Sequence, residues 1–215
     1  MPAVSSELSP RLSTPILASP WPQQRGSRTA AGPFFGAAPS LCIGELAQAG
    51  GLLVVVAEDT AAASLLAREL PLFLPEGREL LTLPDWETLP YDNFSPHQDI
   101  VSDRLRALHR LPRQAEGVLV LPMSALMQRL APGHYIEANS LELATGQTLD
   151  VDKLRGALVK SGYRLVDTVY EHGEFALRGS LMDIFPMGSG LPLRIDLLDD
   201  EIDTLRSFDP ETQRT

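Results

Sequence analysis

The chain has 215 residues, 44% of them hydrophobic and 21% charged, which is enough for two small domains that each bury a core. A formal net charge of -10 repels a phosphate backbone and argues against direct nucleic-acid binding outside a local basic cluster. No apolar run reaches the roughly 18 residues that a membrane span requires, and the single Cys42 excludes an internal disulfide or a cysteine-rich zinc site and suits a reducing, cytoplasmic compartment.

Residues 1–40 are rich in Pro, Ser and Gly, lack helical or strand periodicity, and read as a flexible tail. Leu41, Ile43, Leu46 and Ala47 then fall at helical spacing, and Gly50-Gly51 ends that helix. The apolar run at 52–56, which ends in three valines, is a strand. Thr60 is expected to cap a helix over 61–73, "ELLTLP" is a second strand, and the prolines of 84–96 impose an irregular loop. Over 97–111 helical spacing returns, with Ile100, Leu105 and Leu108 inward and Arg104, Arg106 and Arg110 outward. A buried strand, "GVLVLP", leads into a helix, "MSALMQRL". This order of elements predicts a parallel α/β domain over 41–130.

From 131 to 215 the pattern changes to one helix, 151–161, followed by short alternating strands: a small α+β domain with antiparallel strands. Asp199-Asp200 is a hairpin turn, and Gly179 allows a bulge. Alternation sends Leu193, Ile195 and Leu197 to one face and Arg194, Asp196 and Leu198 to the other. Phe175 and Leu177 likewise share a face, opposite Arg178. If the strands share a sheet in this register, Arg178, Arg194 and Leu198 form a surface suited to a protein partner, since arginine is a rigid fork for carboxylates and the leucine beside it can be desolvated. The alternative is a solvated face with Arg194 paired to Asp196 or Asp183.

Nucleotide chemistry is poorly supported. A phosphate loop needs a glycine-rich turn and a lysine, but the only lysines are Lys153 and Lys160, in the later helix, and the first strand runs into "EDTAAA". Asp85, Glu87, Asp92, His97 and Asp99 lack metal-ligand spacing and read as solvated acids of a loop pinned by Trp86, Tyr91 and Phe94. Glu171, His172 and Glu174 have no nucleophile in a recognisable setting, and His172 reads as a turn residue. No catalytic residue, cofactor or metal is expected.

Three segments, "LPDWETLPYDNFSPHQDIVSDRL", "YEHGEFALRGSLMDIFPMGS" and "DDEIDTLRSFDPETQR", resemble the N-terminal region of the bacterial transcription-repair coupling factors, the Mfd family, and the resemblance runs from about residue 51 to 215. That region is similar to the first domains of the excision-repair protein UvrB. UvrB carries an ATP-binding loop there; the resemblance implies an NTPase-like scaffold over 41–130, incomplete in this chain, without the loop. UvrB also inserts a DNA-clamping hairpin, whereas here "SPHQDIVSDRL" turns directly into a helix. The resemblance implies a non-catalytic adaptor that recruits UvrA through the second unit's sheet. Two family arginines match Arg178 and Arg194, and Leu198 stands where the family usually has phenylalanine. It implies further that other domains of the full-length protein mask this surface at rest, and that RNA polymerase and DNA are met by regions outside these residues. A nucleotide-binding or DNA-processing lobe of an excision-repair helicase is the alternative.

Overall fold

The computed structural model describes residues 25–89 and 92–215. The tail expected at 1–40 lies mostly outside the described residues; within them, 25–37 form no helix or strand. Helix α1 (Ala38–Ala47) precedes β1 (Leu52–Ala57), α2 (Thr60–Glu69) and β2 (Leu80–Thr82). After a long loop come α3 (Gln98–Arg110), β3 (Gly117–Pro122), and the short helices α4 (Met123–Leu126) and α5 (Gly133–Ala138). The strands form a parallel sheet in the order β1-β3-β2.

Strand β3 lies at the centre and is buried at every position. Its alternation divides the core: Val118 and Val120 pack with Ala47, Ala63 and Leu70 on one side, and Leu119 and Leu121 pack with Leu81, Ala107 and Ala125 on the other. At the sheet edge, Val54 and Val56 of β1 remain substantially exposed.

Local chemistry moves several expected boundaries. The cap of α2 is Asp59, whose carboxylate accepts the Ala62 N–H at 2.8 Å, so Thr60 is already helical. The helix stops at Glu69 because Pro71 diverts the chain into a 3-10 turn over Leu70–Leu72. Arg104, expected outside, is 1% exposed: its guanidinium stacks 4.1 Å from the Trp86 ring centre and donates to the Pro84 carbonyl. Here α3 uses a cation to hold the preceding loop. Trp86 therefore does pin that loop, Tyr91 lies outside the described residues, and Phe94 is exposed rather than packed. Asp85, expected to be solvated, accepts hydrogen bonds from Gln128 and from its neighbour's backbone N–H.

The second sheet is built from β4 (Arg164–Leu165), β5 (Glu174–Arg178), β6 (Leu181–Ile184), β7 (Leu193–Leu198) and β8 (Glu201–Ser207), adjacent in that order. Only β4 and β5 are parallel; the rest alternate. Helix α6 (Val151–Lys160) buries Leu154 and Leu158 against Phe175, Met182, Ile184, Ile195 and Ile202. Asp199, at φ 54°, opens the expected two-residue hairpin turn between β7 and β8. Gly179, at φ 63°, serves a turn between β5 and β6 rather than a bulge, because Arg178 pairs directly with Leu181. The irregularity falls instead opposite Asp196 and Leu197, where Asp203 is the extra residue of β8.

The two units meet at α3. His172 lies in a turn, as expected, and also bridges: Nδ1 is 2.8 Å from the Asp99 carboxylate, Nε2 is 2.9 Å from the Ser189 carbonyl, and the ring rests on Phe185. Nearby, the Gly188 N–H donates to buried Ser102 Oγ at 2.9 Å. Helix α5, beyond the expected change at 131, packs back on α3.

At Gly44 in α1, an added Cβ would lie 2.5 Å from the Phe73 carbonyl oxygen. Gly44→Ala should cost about 1–3 kcal/mol through this overlap, read as a lower urea midpoint with an unchanged slope. A midpoint equal to the unaltered chain would contradict the close approach of α1 to the 3-10 turn.

Candidate protein-interaction face

Sheet register decides which side chains share a face. Ala176 lies opposite Asp183, and Asp183 opposite Arg194; one step along, Arg178 lies opposite Leu181, and Leu181 opposite Asp196. Arg178, Arg194 and Leu198 therefore stand on one side, away from the α6 core. That grouping follows the alternation in the sequence.

Their environments differ. Leu198 ends β7 beside the hairpin turn and is 69% exposed. The Arg178 side chain is 46% exposed, donates through Nη2 to the Asp167 carbonyl at 2.6 Å, and has Nη1 3.9 Å from Asp183. Arg194 is only 16% exposed. Its Nε and Nη2 donate to the two Asp183 oxygens at 2.8 and 2.9 Å, and Nη1 donates to the Gln213 carbonyl at 3.3 Å. The Phe208 ring lies 4.7 Å beneath the guanidinium.

The expectation of two open guanidinium forks is thus corrected for Arg194, which its own chain neutralises. The choice between Asp183 and Asp196 is settled by register, since Asp183 is the cross-strand neighbour of Arg194. This bond raises the Arg194 pKa above its already high usual value. Phe208 covers part of the face, packing with Val166, Val169, Ala176 and Phe185, and Gln213 Nε2 donates to the Val169 carbonyl at 3.0 Å. Sequence reasoning missed this strap because a single phenylalanine after a strand carries no periodic signal.

The other candidate positions have structural roles. At the start of α2, where a phosphate loop would present backbone N–H groups to an anion, the Asp59 carboxylate occupies that position. Arg164 Nη2 is 3.0 Å from both Glu171 and Glu174, and Glu174 also accepts the Tyr170 and Glu171 N–H groups at 2.9 Å. Those carboxylates are used in holding a turn. Among the described residues, no group of three or more His, Cys, Asp or Glu is placed to hold a metal ion. No helix among them is long and apolar enough to cross a membrane. A cleft of about 550 Å³ opens between the units, walled in part by His97, Asp99, Arg164, Glu171 and His172, and Arg178, Arg194 and Leu198 do not line it. A flat, charged and partly apolar sheet face suits a protein better than a small molecule.

Comparison with known proteins agrees with this architecture. Residues 141–215, which hold α6 and the whole second sheet, match the family described as the UvrB interaction domain. The particular resemblance is to the transcription-repair-coupling factors of Haemophilus influenzae and Escherichia coli, each 47% identical over 195 residues. The factor of Myxococcus xanthus is 38% identical over 169 residues. The likeness to the UvrB-homology region of the transcription-repair-coupling factors, Mfd, is thereby established over 90% of the chain, which spans 17% of the length of the first two relatives.

Asp196, on the same face, accepts Thr204 Oγ1 at 2.7 Å and pairs with Arg206. First the hydroxyl and then the guanidinium hold its carboxyl below the ordinary 3.8. A lowered carboxylate contributes stability that is complete above the ordinary value and is lost as pH falls through the lowered one. Thr204→Val should move the Asp196 midpoint back toward 3.8 in an NMR titration of the side-chain carboxyl. An unmoved midpoint would exclude the hydroxyl as the main cause.

Proposed function

We propose that this chain is a non-catalytic adaptor module that recruits the excision-repair protein UvrA through the exposed side of its second sheet. The observation that carries the reading is the half-exposed Arg178 beside exposed Leu198 on a rigid sheet face within the segment matching the UvrB interaction domain. An arginine fork supplies charge-matched recognition of a partner's carboxylates, and Leu198 supplies apolar area to desolvate it. Arg194 belongs to the same face, with its guanidinium held by Asp183.

In this reading the 41–130 unit is an NTPase-like support, with Asp59 where a nucleotide phosphate would be bound, and 131–215 is the binding unit. RNA polymerase and DNA would be engaged by other regions of a larger, ATP-driven translocase in the cytoplasm, and other domains of that protein would cover the face at rest. The H. influenzae and E. coli relatives are named for coupling transcription to repair, which supports this placement.

Arg178→Ala should weaken UvrA binding by about 2 kcal/mol or more, as expected for a hot-spot arginine, and Leu198→Asp should do the same. Leu198→Phe should tighten binding severalfold by restoring rigid aromatic area. Calorimetry with purified UvrA reads all three. Unchanged affinity in both weakening variants would reject the face. Titration with magnesium ATP should give no saturable heat; saturable binding would favour the nucleotide-binding alternative.

A further inference from the structure

We infer that His172 is a proton-operated latch between the two units: as an imidazolium it holds Asp99 of α3 and the 186–191 loop together, and loss of its proton releases one of them. Arg178, Arg194 and Leu198 take no part in these contacts, so the latch is independent of the docking reading.

Both ring nitrogens point at acceptors. Nδ1 is 2.8 Å from an Asp99 carboxylate oxygen and Nε2 is 2.9 Å from the Ser189 carbonyl oxygen. A neutral imidazole has one N–H, so it serves one of these acceptors and turns a lone pair on the other; only the imidazolium serves both. Water has little access to make up the difference. The His172 side chain is 12% exposed, and its ring lies 3.9 Å, centre to centre, from that of Phe185.

The two acceptors belong to separate links across the joint. Asp99, in the first turn of α3, ties that helix directly to His172. Ser189 lies in the loop whose Gly188 N–H donates to buried Ser102 Oγ at 2.9 Å, about one turn farther along α3. Gly188 passes close enough to the helix that an added Cβ would be 3.6 Å from the Arg106 backbone. Whichever nitrogen keeps its proton when the ring becomes neutral, the other link loses its donor.

The surrounding charges are otherwise engaged. On α3, His97 Nδ1 accepts the Asp99 N–H and lies 3.3 Å from the second Asp99 oxygen, while Asp103 pairs with Arg106. Arg164 of β4 is held by Glu171 and Glu174, Tyr170 lines the same cleft, and residues 186–192 carry no ionisable side chain. Asp99 is the carboxylate in contact with His172, and the charge on the ring decides how firmly it is held.

Hydrogen exchange at the Gly188 amide of the 215-residue chain, corrected for the intrinsic pH dependence of exchange, reads the joint. Protection should fall about tenfold or more between about pH 6 and about pH 8.5, the range in which imidazoles give up their proton. The Val118 and Leu197 amides, bonded to Glu79 and Ser180 within their own units, should keep their protection, which separates opening of the joint from global unfolding. His97→Asn retains a capping side chain and should leave the response intact. His172→Gln removes the ionisable ring and should abolish it. Asp99→Asn supplies an amide that either donates to Nδ1 or accepts from it, so a neutral ring satisfies both neighbours, and protection should stay within about twofold over the same range. A flat profile in the unaltered chain, or a response that persists in His172→Gln, would overturn the latch. Should His172→Gln lose its fold, Asp99→Asn decides: an undiminished response in that variant overturns the latch equally.

Discussion

A carboxylate sealed under a β-sheet face organises the surface that matters most here. Asp183 is 1% exposed, and a buried ion is tolerated only when a well-placed counter-ion and further hydrogen bonds replace the water it lost. Arg194 supplies both oxygens with donors, and its guanidinium then holds the Phe208 ring and the Gln213 carbonyl. Arg178 is drawn toward the same charge without being captured by it. One buried acid therefore sorts two neighbouring arginines into different states, one committed and one available.

A parallel economy operates in the first unit. Its sheet and helices have the order of a nucleotide-binding scaffold, but the helix terminus that would attract phosphate is already satisfied by Asp59. The cation that could have faced solvent on α3, Arg104, is turned inward to stack on Trp86. Burial pulls its pKa below the usual value, and Asp85 opposes that effect. Charges here are used to hold loops in place, and the unit presents the second sheet through α3, where His172 and Ser102 join the two.

Resemblance and geometry contribute different things. The family match covers 141–215, which is the segment whose strands form the second sheet. It does not say which side chains on that sheet are accessible. Leu198 and Arg178 emerge from exposure, and the constraint on Arg194 emerges from hydrogen-bond geometry.

Much of this was legible in the order of residues. Periodicity placed β1, β2, β3, β7 and β8 and most helices, and the two-residue turn at Asp199-Asp200 set the β7–β8 hairpin. Alternation put Arg178, Arg194 and Leu198 on one side, because side-chain direction in a strand depends only on local backbone geometry. The lysine count and the missing glycines spoke against a phosphate loop for an equally local reason. What depended on distant residues could not be read this way. Whether Arg194 would face Asp183 or Asp196, whether Arg104 would be buried, and where a bulge would fall were decided by cross-strand register and by which loop folded over which face. Sequence determines which way a side chain leaves its own backbone; only the assembled tertiary structure determines what waits there to meet it, since that neighbour is brought in by a different part of the chain.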